Sequence, residues 1–217
     1  MSFSFYAHAI HHSLLQEHTA VPLKLGQVQQ LLAAALGHKS LASYQNAQPP
    51  EDFGQRIIVN RHRLLERFNE LRLPIELMEK FLTCFQSAAS QSVYLHDSEY
   101  VKALMDFVRD TMPQVPEVQN YLARIGAHIS FTAVDPIQFP EPIGLSTPVL
   151  HVVSATVELS TRDGRPHPTR RLFFDGCVTV RVCGRRCLGT LELSGRLDEE
   201  GIGGSDVVEY AYLPEDL

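Results

Sequence analysis

Asp135-Pro136-Ile137-Gln138-Phe139-Pro140-Glu141-Pro142-Ile143-Gly144 is the stretch on which the reading of the fold turns. Three prolines in seven residues rule out a helix, because proline lacks an amide donor and pushes the residue before it into extended backbone. The hydrophobic pattern has a different period on either side. Toward the N-terminus apolar residues recur three and four apart, as in Leu64, Leu65, Phe68 and Leu71 and again in Leu77, Met78, Phe81, Leu82 and Phe85. That is the spacing of one helix face. After Pro148 the period falls to two, β-branched residues rise, and nine of the thirteen glycines lie from Gly144 onward. Short strands joined by tight turns have this composition. The expected class is α+β: a helical N-terminal part, 1–134, a proline-rich connector, 135–148, and an antiparallel β-meander, 149–217.

Within the first part the pattern predicts helices near 3–18, 26–36, 40–47, 61–72, 75–91, 98–110 and 116–125, with Asp97 as an N-cap. Ile57-Ile58-Val59 and Val93-Tyr94-Leu95 read as short strands. The second part predicts strands near 149–160, 170–182, 187–197 and 207–213, with Asp163-Gly164 as a turn between the first two. A meander of this size needs cover on its apolar face, so the helical part is expected to pack on it.

Composition bounds the function classes. The chain has 217 residues, 44% hydrophobic and 20% charged, close to the globular average and far from disordered, collagenous or disulfide-rich chains. Its net charge of -6 argues against a surface that binds nucleic acid throughout, so such binding has to rest on a local patch. Met1 to Ala20 carry no Lys or Arg, no run approaches the ~20 apolar residues of a membrane span, and four cysteines suit reduced thiols. These readings lead to the expectation of a cytoplasmic protein without membrane contact.

The most specific local pattern runs from Leu25 to Tyr44. An alanine-rich helix ends at Gly37, and Ser40 caps a second short helix after a brief turn. This is helix-turn-helix spacing over 27–48, and the second helix offers Lys39, Ser40, Ser43, Gln45, Asn46 and Gln48 to bases and phosphates. Against DNA reading, position 43 holds serine where such motifs want an apolar residue, and the second helix has no arginine. An ordinary helical hairpin accounts for the same residues. The stretch around Gly37-His38-Lys39-Ser40, about residues 24–60, also resembles the small glyoxalase-related module of bacterial plasmid and mobile-element proteins. The resemblance implies a bacterial accessory role on a mobile element. It carries no catalytic residue, and the metal-binding His and Glu pattern of glyoxalases is not recognisable in the chain.

Other constellations read more simply. His8, His11 and His12 share helical spacing but lack a further ligand or an intervening carboxylate, so they suit a polar helix face. Cys183 and Cys187 flank Gly184-Arg185-Arg186 without the paired spacing of a zinc site. Arg61, Arg63 and Arg67 interleave with Glu66 and Glu70, as on a solvated helix face. No nucleophile elbow, phosphate-binding loop or dinucleotide fingerprint is present, and neither cofactor nor metal is expected.

Charge in the β half is uneven. From Arg162 to Arg186 the balance is +5, and from Glu192 to the end it is -7. Guanidinium forks match carboxylates and phosphates, and charge complementarity sets orientation and on-rate in docking. The leading expectation is therefore a non-enzymatic accessory or adaptor protein that binds another protein through Arg162, Arg165, Arg170, Arg171, Arg185 and Arg186. A DNA-binding regulator using Lys39, Ser40, Ser43, Gln45 and Asn46 is the alternative, and an enzyme without a linear motif comes third.

Overall fold

The computed structural model describes residues 2–16, 22–47, 55–89, 92–137 and 149–198, without the side chains of Thr169 and Arg170. The elements in chain order are α1 (Phe3–Gln16), α2 (Leu25–Ala35), α3 (Leu41–Asn46), β1 (Arg56–Ile58), α4 (Arg61–Glu70), α5 (Glu76–Ala88), β2 (Ser92–Tyr94) and α6 (Asp97–Thr111). A short 3-10 turn, Met112–Gln114, leads into α7 (Pro116–Ile125), then β3 (Ala127–Val134), β4 (Val149–Thr161), β5 (Pro166–Gly184) and β6 (Cys187–Asp198). The class is α+β, with helices in the N-terminal part and a mostly antiparallel sheet toward the C-terminus. The strand order is β2-β1-β6-β5-β4-β3, so β3 to β6 follow one another as a meander. Among the described residues no helix is long and apolar enough to cross a membrane.

The chain divides into two compact units, each drawn from three stretches of sequence. The first holds Met1–Phe107, Pro136–His151 and Val178–Glu192. The second holds Val108–Asp135, Val152–Cys177 and Leu193–Leu217.

In the first unit α1 packs on α5 and α2, and α2 packs on α4. α1 buries Tyr6, Ala7, Ile10 and Leu14, one stripe of the helix, while α5 buries Leu77, Met78, Phe81, Leu82 and Phe85. Phe81 stands 6.4 Å from both Phe68 and Phe85, and Tyr6 meets Phe85 edge-on at 6.2 Å. Each such side chain contributes about 1.5–3 kcal/mol by leaving water. The small side chains of Ala33, Ala34 and Ala35 are all buried in α2 and leave room for close helix packing. α2 ends as its sequence predicts: Gly37 takes φ 85°, its amide reaches Ala34 O at 2.9 Å, and the His38 amide reaches Ala33 O at 2.9 Å. Arg72 takes the same left-handed role after α4, at φ 52°, with Leu73 N on Phe68 O and Arg72 N on Asn69 O, both at 3.0 Å. The start of α6 differs from the predicted Asp97 cap. Asp97 is already helical, and the Glu99 carboxylate reaches back to accept from Leu95 N at 2.7 Å and His96 N at 3.3 Å. Both short strands form: β1 runs parallel to β2 (Ile57↔Val93) and antiparallel to β6 (Ile57↔Cys187).

In the second unit Val108, Met112, Val118 and Leu122 are buried along α6 and α7. β4 buries Val153, Ala155, Val157 and Leu159 at every second position. The stretch 127–134, assigned to the helical part from its sequence, is a strand. α7 stops at Gly126, and the β-branched and aromatic residues Ile129, Phe131, Thr132 and Val134 pair with β4 in the register Thr132↔Val157 and Val134↔Ala155. A bulge between Ile129 and Phe131 shifts that register. Beside it the His128 ring meets the Ser160 hydroxyl at 2.8 Å. A Cβ on Gly195 would lie 2.5 Å from Phe174 Cζ and 2.6 Å from Asp175 O, and one on Gly176 would lie 2.5 Å from Ser194 O. No side chain fits at either position. The predicted strand 207–213 and most of the proline-rich connector lie outside the described residues.

Candidate functional site

Two of the six arginines of the predicted partner surface, Arg185 and Arg186, meet the 38–46 segment in the first unit. The α2–α3 turn carries Gly37, His38 and Lys39, and the β5–β6 turn carries Arg185 and Arg186. A Cβ on Gly37 would touch Arg186 Cγ at 3.2 Å and Arg185 Cβ at 3.7 Å. Glycine is needed there twice over, for the left-handed backbone and for the close approach of the arginine stems. Arg186 is fixed from several sides. Its Nη1 donates to Asp97 Oδ1 at 2.9 Å, its side chain is 23% exposed, and its carbonyl accepts from Ile58 N at 2.9 Å. Arg185 is exposed.

His38 lies under this junction, 4% exposed, edge-on to Tyr44 at 5.1 Å between ring centroids. Burial holds its pKa below the usual imidazole value, the Arg185 charge lowers it further, and a hydrogen bond to the Ser43 backbone opposes both. Its Nδ1 has no hydrogen-bond partner among the described residues. Tyr44 stacks on Phe3 at 4.2 Å, and burial followed by the neighbouring Cys187 pushes its phenol up to about 12. The buried His38 and Tyr44 rings are therefore neutral at pH 7, Arg186 is paired with Asp97, and Lys39 and Arg185 stand exposed.

Of the residues offered for DNA reading, Lys39, Gln45 and Asn46 are exposed, while Ser40 and Ser43 are half-buried. The Ser40 hydroxyl accepts from Ser43 N at 3.0 Å and so caps α3, as predicted. α3 is only six residues long. Gln48 lies outside the described residues. Lys39 also offers its carbonyl to the Arg67 guanidinium. Between α2 and α4 this leaves a cavity of about 180 Å³ with His38, Lys39, Arg63 and Arg67 on its walls, together with Glu66 and Glu70. Arg67 pairs with Glu70 at 2.7 Å and Arg63 with Glu66 at 3.9 Å, the i,i+3 pairs expected of a solvated face.

The remaining arginines of the predicted partner surface belong to the second unit. Arg162 and Arg165 are exposed in the β4–β5 turn, and Arg171 is exposed on β5. Arg165 approaches Asp163 at 3.4 Å, and Arg171 approaches Glu158 at 3.6 Å. The Thr161 hydroxyl donates to Asp163 and lowers its pKa. Arg170 lies on β5, its side chain outside the description. The six arginines thus divide between the two units, two in the first and four in the second.

The other candidates take modest roles. The His11 ring meets Leu23 O at 2.9 Å, and His8 and His12 flank it on α1, His8 exposed and His12 exposed. All four cysteines are free, with Cys84 and Cys187 buried. Among the described residues no three His, Cys, Asp or Glu side chains gather as a metal site. Sequence reasoning missed Asp97 as the anchor of Arg186, because a pairing between residues so far apart leaves no local signal. No protein-family model matches the chain, and neither a curated protein nor a solved structure matches it.

Proposed function

We propose that the chain is a non-enzymatic accessory protein that docks on an acidic surface of another protein through the junction of the 38–46 segment with the β5–β6 turn. The observation that carries this reading is the contact of Gly37 with Arg185 and Arg186, which places two basic turns side by side. Lys39 and Arg185 stand exposed on a neutral, packed base, so their side chains need little of that base to move when a partner binds. The exposed Arg162, Arg165 and Arg171 belong to the second unit and form a separate set of cations. The resemblance of residues 24–60 to a mobile-element module supports a bacterial accessory role.

DNA reading is the second possibility, favoured by exposed Lys39, Gln45 and Asn46. It is weakened by the six residues of α3 and by the Ser40 hydroxyl, which is already engaged in the cap. The test is low-salt capture from the host with the wild-type protein and with Lys39→Glu/Arg185→Glu. A stoichiometric protein partner that the charge-reversed protein loses is the expected result. Nucleic acid that elutes steeply with salt, and is lost in the same variant, favours the regulator instead. Equal capture by both proteins removes the junction from the function.

A further inference from the structure

In the second unit one face of the sheet lies open, and what it presents does not depend on the reading above. β4 buries Val153, Ala155 and Val157, so Val152, Ser154 and Glu158 point the other way. Asp135 N donates to Ser154 O at 2.9 Å, and Phe131 stands opposite Glu158 in the β3–β4 register. On the β5 side the Ser154 hydroxyl donates to Asp175 Oδ1 at 3.3 Å, and Arg171 approaches Glu158 at 3.6 Å. Leu172 and Phe174 are buried, so Arg171, Phe173 and Asp175 share the outward face. Asp135, Ser154 and Asp175 therefore form one row across three strands. Phe173 lies in the next row, Phe131 in the row after it, and Val152 beside Ser154 along β4.

Three apolar side chains of this face stand in water: Val152 is 69% exposed, Phe131 55% and Phe173 36%. Apolar residues gathered on one face, and not scattered singly, mark a surface for association. The unmatched charge of the face is negative. Arg171 is matched by Glu158, and Arg196, which alternation with Gly195 places on the same face, is matched by Asp198 at 3.0 Å. Among the described residues neither Asp135 nor Asp175 has an ion pair. Asp135 is exposed, and Asp175 is half-buried with its Oδ2 covered and without a hydrogen-bond partner. A carboxylate oxygen withdrawn from water without a donor is costly, and a cation docking on the row relieves that cost.

The geometry points to this face as the docking surface for an amphipathic helix of a partner protein, with a lysine or arginine set in its apolar stripe. A sheet face offers side chains alone, because its main-chain groups are spent on neighbouring strands. The occupant has to satisfy its own backbone, as a helix does. Its apolar residues cover Phe131, Val152 and Phe173. Its cation sits over Ser154, between Asp135 and Asp175, whose strands lie two spacings, about 10 Å, apart. The same two carboxylates disfavour nucleic acid and anionic lipid.

The test is selection from a phage-displayed library of amphipathic helices, one position of the apolar stripe randomised, against the full-length protein. Lysine and arginine should be enriched at that position. Fluorescence anisotropy of the enriched peptide then compares wild type with Asp135→Asn, Asp175→Asn and Val152→Lys. Asparagine keeps the shape and an acceptor for Ser154 but removes the charge, so each of the first two should weaken binding about tenfold. A peptide with methionine in place of its cation should bind wild type and both asparagine variants alike, which a merely structural role of the carboxylates does not produce. Val152→Lys, at an open position, puts the protein's own cation beside the row and should weaken binding at least about tenfold at an unchanged circular dichroism spectrum. Lys39→Glu/Arg185→Glu should bind as wild type does. On the unaltered protein the Val152 methyl resonances should shift when the peptide binds. No enrichment, enrichment of an acidic or apolar residue at the varied position, wild-type affinity in both asparagine variants, unmoved Val152 methyls, or a concentration-dependent dimer that uses this face would each overturn the proposal.

Discussion

Two arginine-rich turns of the same sheet, β4–β5 and β5–β6, have similar composition and opposite engagement. In Arg162-Asp163-Gly164-Arg165 every hydrogen bond closes on the turn itself. Thr161 N donates to Arg165 O at 2.8 Å, Gly164 N to Thr161 O at 2.9 Å, and Arg165 pairs with Asp163. In Gly184-Arg185-Arg186 the bonds leave the turn, to Ile58 and Asp97, and the arginine stems rest on Gly37. The first turn is a self-contained hairpin tip with solvated cations. The second joins strand to helix turn, and one of its two arginines is structural. Arginine count alone does not separate a docking surface from a packing joint.

The largest test of this contrast compares glycines. Gly37 and Gly164 both have left-handed backbone, φ 85° and φ 80°, but a Cβ at Gly164 meets nothing within 4 Å. Gly37→Val should cost about 2–3 kcal/mol in urea unfolding and Gly164→Val about 1–2 kcal/mol, since both strain the backbone and only the first displaces Arg186. Equal losses would mean that the arginine stems yield freely. Next in size, Arg186→Ala should cost about 1 kcal/mol through its half-buried ion pair and packed stem, whereas Arg165→Ala should stay within about 0.5 kcal/mol.

The smallest effect is a pH dependence. The folded chain holds the His38 pKa below 6.5, so as pH falls under that value the unfolded chain takes up a proton that the folded one resists. Stability is therefore intact above pH 6.5 and declines as pH falls toward the folded value. Urea midpoints at pH 7.5 and 5.5 should differ less in His38→Asn than in wild type. Arg185→Gln should narrow the difference slightly, because it removes the second cause of the shift, and Arg162→Gln should leave it unchanged.

Much of the fold was legible in the sequence, for local reasons. α4 and α5 follow from one apolar stripe each, and the end of α2 follows from Gly37 with a capping serine three residues on. β3 was not legible. Its eight residues fall between a helix and a proline run, and so short an apolar segment suits strand or helix alike until β4 selects one. The candidate residues Lys39 and Arg185 were each visible from their turns. Their juxtaposition was not, because it depends on β6 pairing with β1 and on Asp97 holding Arg186.

The glycines of the second unit bear on how this chain can drift over evolutionary time. Exchange of an arginine exposed on a turn costs the fold little stability, whatever it does to binding. Gly176 and Gly195 cannot be exchanged, since any side chain there would collide with main-chain oxygen as well as with the Phe174 ring. Phe174, fully buried, fills the space those two positions leave empty. The triplet Phe174, Gly176 and Gly195, together with Gly37, is thus the fingerprint by which a distant relative of this fold should still be recognised after its charged residues have diverged.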